Sequence, residues 1–299
     1  MSRELSGASG WRTARRLIAG AAIVVAFTAC VLVWAAVRVG ASALLHPARR
    51  AVAVAPPPGC ENAAFAGDGV TLRGWRCSSK RVHSVHTVHR GTIIYLHGIA
   101  DNRTSAAGVV RRFLPAGFDV VAYDSRDQGE SDGAACTYGF FEKRDLHRVV
   151  DAAVGPVVLI GSSLGGAVAL QEAADDPRVA AVVAAETFSD LRTVATERAP
   201  HFFTAGIIRS AFAAAEREAA FEVDAVSPEK SAARITAAVL LIHGDADVDT
   251  PPDHSTRVFA ALRGPKRLIL VPGAAHNGSL RPEIWREVEA WIDRVVPAP

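Results

Sequence analysis

The sequence predicts an α/β fold: a mostly parallel sheet flanked by helices, preceded by one long apolar segment. Three observations lead there. Short apolar runs alternate with stretches of helical spacing along most of the chain. Most of those runs are continuously apolar, as in strands buried on both faces. A Gly-x-Ser-x-Gly segment joins one such run to the apolar helix after it. With 299 residues, 49% of them hydrophobic and 21% charged, the chain is long enough for one large core. The formal net charge of +2 gives no reason to expect a nucleic-acid partner.

The first element is the apolar segment. Residues 17–37 form a run of 21 without a charge. A helix rising about 1.5 Å per residue needs roughly 20 such residues to cross the hydrocarbon layer. Arg3, Arg12, Arg15 and Arg16 precede the run, and Arg38, Arg49 and Arg50 follow it. The slight excess before it favours an N-terminus inside the cell and a domain outside. The alternative is a signal peptide cleaved at Ala41-Ser42-Ala43, although such peptides carry a shorter apolar region of about 7–15 residues. Residues 1–45 are therefore read as a cytoplasmic stub and single-pass anchor in the cell membrane. The alternative leaves a secreted protein. Residues 46–59, with Pro56-Pro57-Pro58-Gly59, read as a stiff linker, and 60–297 as the folded domain.

The domain opens on a hairpin whose turn is Gly67-Asp68-Gly69. Cys60 and Cys77 stand symmetrically about that turn, within reach of a disulfide across the strands. The other reading is two small buried apolar residues. An oxidising space favours the bridge, and Cys136 is then left unpaired. Strands follow at 93–97, 119–123, 156–160, 179–184, 239–243 and 267–271. Helices are expected at 106–114, 144–153, 164–174 and 285–295. Residues 187–232 carry no strand pattern and read as a short helical cap, placed where loops surround a site at the carboxyl ends of the strands.

The chemistry is read from three places. Gly161-Ser162-Ser163-Leu164-Gly165 follows an apolar strand and opens an apolar helix, which makes a weak motif informative. Only Ser163 has glycine at both −2 and +2, so it is the expected nucleophile in preference to Ser162. A serine hydroxyl needs a base. His276, on a loop after the last strand, is the only histidine beyond His254. The orienting carboxylate is expected after the preceding strand, where Asp245, Asp247 and Asp249 stand. Asp247 is chosen, with Asp245 left to serve the turn and Asp249 to cap the helix after Pro251-Pro252. An oxyanion is to be held by the N–H of Leu164 and of Ile99, the latter on the loop after the 93–97 strand.

These residues resemble the α/β-hydrolase family. Tyr95-Leu96-His97-Gly98 looks like its oxyanion strand and loop. Asp124-Ser125-Arg126-Asp127-Gln128-Gly129-Glu130-Ser131 is similar to its D-x-R-G-x-G-x-S stretch, with Asp127 and Gln128 in place of the usual Gly and a common His. Gly161-Ser162-Ser163-Leu164-Gly165-Gly166, His243-Gly244-x-x-Asp247 and His276-Asn277 complete the likeness over about 60–297. It looks closest to membrane-anchored members related to serine aminopeptidases and monoacylglycerol lipases. The resemblance implies the α/β-hydrolase fold with an eight-stranded sheet and a short cap. It also implies hydrolysis of an acyl substrate, lipid-like or small, with no metal and no cofactor. A carboxylic ester is the expected substrate. The alternatives are a thioesterase or peptidase with the same triad, or a slow-turnover binding protein.

Three groups have two readings each. His83, His86 and His89 offer metal-ligand spacing but are read as a polar loop. Asp101, Asn102 and Arg103 either rim the site or cap the helix starting near Thr104. Phe202, Phe203, Phe212 and Phe221 line an acyl pocket or pack the cap.

Overall fold

The computed structural model describes residues 5–81 and 88–298, without the side chains of 5–10, 12, 13 and 81. His83 and His86 lie outside the described residues, as do Arg3 and the side chain of Arg12. The apolar segment is a single helix, α1 (Leu5–Leu45), whose Ala14–Leu45 portion is long and apolar enough to cross a membrane. The large side chains at 17–34 are exposed.

The domain begins with β1 (Cys60–Ala66) and β2 (Thr71–Cys77), an antiparallel hairpin closed by Gly67 N–H donating to the Val70 carbonyl at 2.8 Å. Cys60 and Cys77 are direct partners in its register, and their sulfurs are bonded. The rest alternates as expected. In chain order come β3 (Gly91–Leu96), α2 (Ala107–Phe113), β4 (Phe118–Tyr123), α3 (Glu142–Asp151), β5 (Val157–Ser162), α4 (Leu164–Ala173) and β6 (Val179–Ala185). Three helices follow in the segment expected to form a cap, hereafter the cap: α5 (Leu191–Glu197), α6 (Ala205–Ala219) and α7 (Pro228–Ala232). The chain then closes with β7 (Ala238–Gly244), α8 (Asp253–Ala261), β8 (Lys266–Val271) and α9 (Pro282–Val295).

The eight strands form one sheet in the order β1-β2-β4-β3-β5-β6-β7-β8. Pairing is antiparallel through β2/β4 and parallel from β4 onward. The central strands β3, β5 and β7 are buried at almost every position because helices cover both faces, which is why they lack alternation. One core layer packs α3, α4 and the cap on one face, and the other packs α2 and α9 on the opposite face.

Two features of the N-terminal part depart from a free anchor and spacer. The last turns of α1 pack against α6, leaving Ala41 and Leu45 fully buried in the first core layer. The Leu45 carbonyl accepts the Cys136 N–H at 2.8 Å, and the Leu44 carbonyl accepts the Tyr138 hydroxyl at 3.0 Å. Residues 46–59 run along the domain instead of away from it. Asn102 Nδ2 donates to the carbonyls of Arg50 and Ala51, and Arg49 donates to the Ser131 carbonyl. Proline stiffens the segment, but its free carbonyls still find donors on the domain surface.

Candidate active site

The turn from β5 into α4 places Ser163 at φ 51°, ψ −114°, a backbone region costly for a side-chain-bearing residue. The neighbouring glycines make that turn sterically feasible. A Cβ on Gly161 would lie 2.3 Å from the Gly165 carbonyl, and one on Gly165 would lie 2.1 Å from the Leu96 oxygen. The distortion is held in place by the Ser163 N–H, which donates to the Ala185 carbonyl at 2.7 Å. It lifts Oγ out of the helix line toward an open cleft of about 1010 Å³ at the carboxyl ends of the strands.

Three of the predicted residues come together there. His276 Nε2 lies 3.2 Å from Ser163 Oγ. His276 Nδ1–H donates to Asp247 Oδ2 at 2.7 Å. Asp247 is fully buried, and its Oδ1 accepts the N–H groups of Asp249 and Thr250 at 3.0 and 2.9 Å. The carboxylate is therefore fixed through both oxygens. Asp245 accepts the Gly273 N–H at 2.6 Å and so ties the β7 and β8 loops together, away from the imidazole. Asp249 does not cap α8. That helix starts at Asp253 with Pro252 at the cap position, and the Asp249 carbonyl instead accepts from Arg198 Nε. Two prolines in a row fix the backbone before the helix and leave no place for a side-chain cap.

Leu164 is the first residue of α4, where N–H groups have no partner within the helix. Ile99 lies on the loop after β3 and lines the cleft beside Gly98 and Ser163. Gly98 meets no steric demand from the protein itself, since an added Cβ would rest 3.6 Å from Ser163 Cβ. The loop is held instead by His97 and Gln128, residues the sequence marked in the family pattern without showing what they hold. His97, fully buried, accepts the Ser125 N–H on Nε2 at 2.9 Å, so its proton sits on Nδ1 and is donated to the Gly98 carbonyl at 2.7 Å. Burial lowers its pKa, which keeps that neutral tautomer. Gln128 Oε1 accepts the N–H of Ala100, itself at φ 55°. The residue standing in for the family's histidine thus clamps the loop after β3. Asp127, standing in for the usual glycine, adopts φ 58°, a conformation aspartate tolerates better than most side chains.

Glu186 is a further residue whose role the sequence did not reveal. It follows β6 at φ 53°, is buried, and accepts the N–H groups of Asn277 and Ser279 at 2.6 and 2.8 Å. It therefore positions the loop that carries His276. A charged residue directly ending the apolar run of β6 was the only available signal.

The remaining groups resolve by position. Asn102 caps the turn at Arg103–Ala106, with Oδ1 accepting the Thr104 N–H at 3.0 Å, and Asp101 lines the cleft. Arg103 is buried against Asp124, its N–H donating to Oδ1 at 2.7 Å. Phe202 is exposed, Phe221 packs on Phe140, and Phe203 and Phe212 line a cavity under the cap. Away from the cleft, His147, Glu172 and Asp176 bring ligand atoms within 4.8 Å of one another. Arg178 already supplies the cation there, its Nη2 donating to Asp176 at 2.6 Å.

Comparison with known proteins agrees with this architecture. The family model for the alpha/beta hydrolase fold matches residues 91–226. The protein YfhR of Escherichia coli O157:H7 is 30% identical over 220 residues, 71% of each chain. Mouse mitochondrial palmitoyl-protein thioesterase ABHD10 is 36% identical over 103 residues, 33% of this chain and 35% of its own. The Pyrococcus furiosus esterase Pf2001 superposes with a TM-score of 0.68 at 20% identity, covering 84% of this chain and 99% of the esterase. The chain belongs to the α/β-hydrolase family.

Proposed function

We propose that the chain is a membrane-anchored serine hydrolase that cleaves a carboxylic ester through an acyl-enzyme on Ser163. The observation that carries this reading is the hydrogen-bonded sequence Ser163 Oγ, His276, Asp247 at a strained turn facing an open cleft. Ser163 Oγ attacks the ester carbonyl carbon as His276 Nε2 takes its proton. The N–H groups of Ile99 and Leu164 donate to the oxyanion, and Asp247 stabilises the imidazolium. The bond to the leaving alcohol breaks as His276 returns the proton to it. Water, deprotonated by the same imidazole, then attacks the acyl carbon; the bond to Ser163 Oγ breaks as His276 returns the proton to that oxygen, and the carboxylic acid leaves. No step requires a metal or cofactor. A thioester substrate is the second reading, favoured by the partial similarity to a palmitoyl-protein thioesterase.

In the same reading, residues 17–37 cross a membrane with the domain outside. Three observations support it: the exposed apolar flank of α1, the burial of Ala41 and Leu45 at its end, and a disulfide suited to an oxidising space. A fluorophosphonate probe should label the full-length protein on Ser163. The Ser163→Ala protein should take up no label while unfolding at the same temperature. Undiminished labelling of that variant, or a label mapped to Ser162, overturns the assignment.

A further inference from the structure

A second cavity, of about 290 Å³, lies beside the first between the end of α1 and the cap. Its walls include Gly40, Ala43 and Leu44 of α1, Leu191 and Val194 of α5, and Phe212 of α6. Ile99 and Arg198 line both cavities, so the second begins at the residue assigned to hold the substrate oxyanion. The two polar groups near its lining are already engaged. The Tyr138 hydroxyl donates to the Leu44 carbonyl, and the Arg198 guanidinium donates to the Asp249 carbonyl and Thr250 hydroxyl. What remains is apolar. The main cleft differs, because Arg50, Asp101, Glu197 and His201 stand around it.

We propose that the last turns of the anchor helix form one wall of the acyl-chain subsite, and that the substrate is a lipid ester drawn from the membrane. The inference rests on the ester-hydrolase reading of Ser163. The acyl chain lies between α1 and the cap, while the polar leaving group occupies the cleft. A volume of about 290 Å³ holds roughly ten methylene-sized groups if each takes about the 30 Å³ of a liquid water. The route in follows from continuity with the membrane reading proposed above: the helix that walls the cavity is the one whose exposed apolar flank is long enough to cross a membrane. An acyl chain moves along α1 from leaflet to cavity without exposing its length to water.

The test uses the full-length protein in lipid nanodiscs with p-nitrophenyl butyrate and decanoate. Ala43→Trp intrudes from the anchor side, at an exposed helical position that disturbs no core, and Ala195→Phe intrudes from the cap. Both should lower the decanoate-to-butyrate ratio of kcat/KM at least tenfold while retaining fluorophosphonate labelling. An unchanged ratio in Ala43→Trp, with a reduced one in Ala195→Phe, removes the anchor from the subsite. Unchanged ratios in both remove the subsite itself. Displacement of a fluorescent fatty acid by decanoate, measured on Ser163→Ala protein with and without Ala43→Trp, reads the cavity without turnover. Equal displacement by the two proteins overturns the proposal. If wild-type protein hydrolyses neither ester, the hydrolase reading fails and the displacement result still decides the cavity.

Discussion

At the scale of single residues, Asp247 differs from its two neighbours in what its oxygens hold. One oxygen faces His276 while the other takes two backbone donors, so removing its charge alters the imidazole tautomer without collapsing the loop. Asp247→Asn should lower kcat by roughly 10³–10⁴-fold. Asp245→Asn, which disturbs only a loop contact to Gly273, should cost less than tenfold. Steady-state kinetics on a soluble ester checks both, and a larger loss in Asp245→Asn would reverse the assignment. That Ser163, His276 and Asp247 would come together was legible because each occupies a position relative to a strand end that sequence spacing reports. The roles of Glu186, His97 and Gln128 were not, because each residue acts on a segment tens of residues away. No local periodicity encodes that Glu186 meets Asn277 or that His97 meets Ser125.

At the scale of elements, the continuously apolar runs located the parallel strands to within a residue or two, since burial on both faces leaves a composition signal. Element ends were less visible. The helix expected at 106–114 is found at Ala107–Phe113, whereas the one expected at 285–295 begins three residues earlier, at Pro282. The contact between the β5–α4 turn and the end of β3 is closer than any spacing argument conveys. Gly165 packs directly against Leu96, leaving no room for a methyl group, whereas Gly98 has ordinary clearance. Gly165→Ala should destabilise the fold by at least about 3 kcal/mol or prevent its accumulation. Gly98→Ala should unfold within a few degrees of wild type. Thermal denaturation followed by circular dichroism distinguishes the two, and equal stability of both variants would remove the steric account of the turn.

At the scale of the whole molecule, the boundary between the apolar helix and the α/β-hydrolase domain was the least legible feature. Ala41-Ser42-Ala43 resembles a cleavage site because its residues are small. In the structure only Ala41 of the three is buried, and the close packing falls on its neighbour Gly40, where a Cβ would sit 3.1 Å from Ala211 and 3.2 Å from Phe203. Amphipathicity is a local property and does not say which distant helix fills the other side. If the helix is retained, carbonate-washed membranes should keep the chain in the pellet with residues 17–37 intact. Mass spectrometry that finds a soluble form beginning near Leu44 would show removal instead. The seating of α1 on α6 also sets an order of events during synthesis. Ala211 follows Ala41 by 170 residues. At roughly 5–20 residues per second, the helix end is made about 10–35 s before its partner exists. For that interval its apolar side has only lipid or a chaperone to cover it. The end of α1 therefore reaches its native surroundings only after α6 has been made, long after its own synthesis.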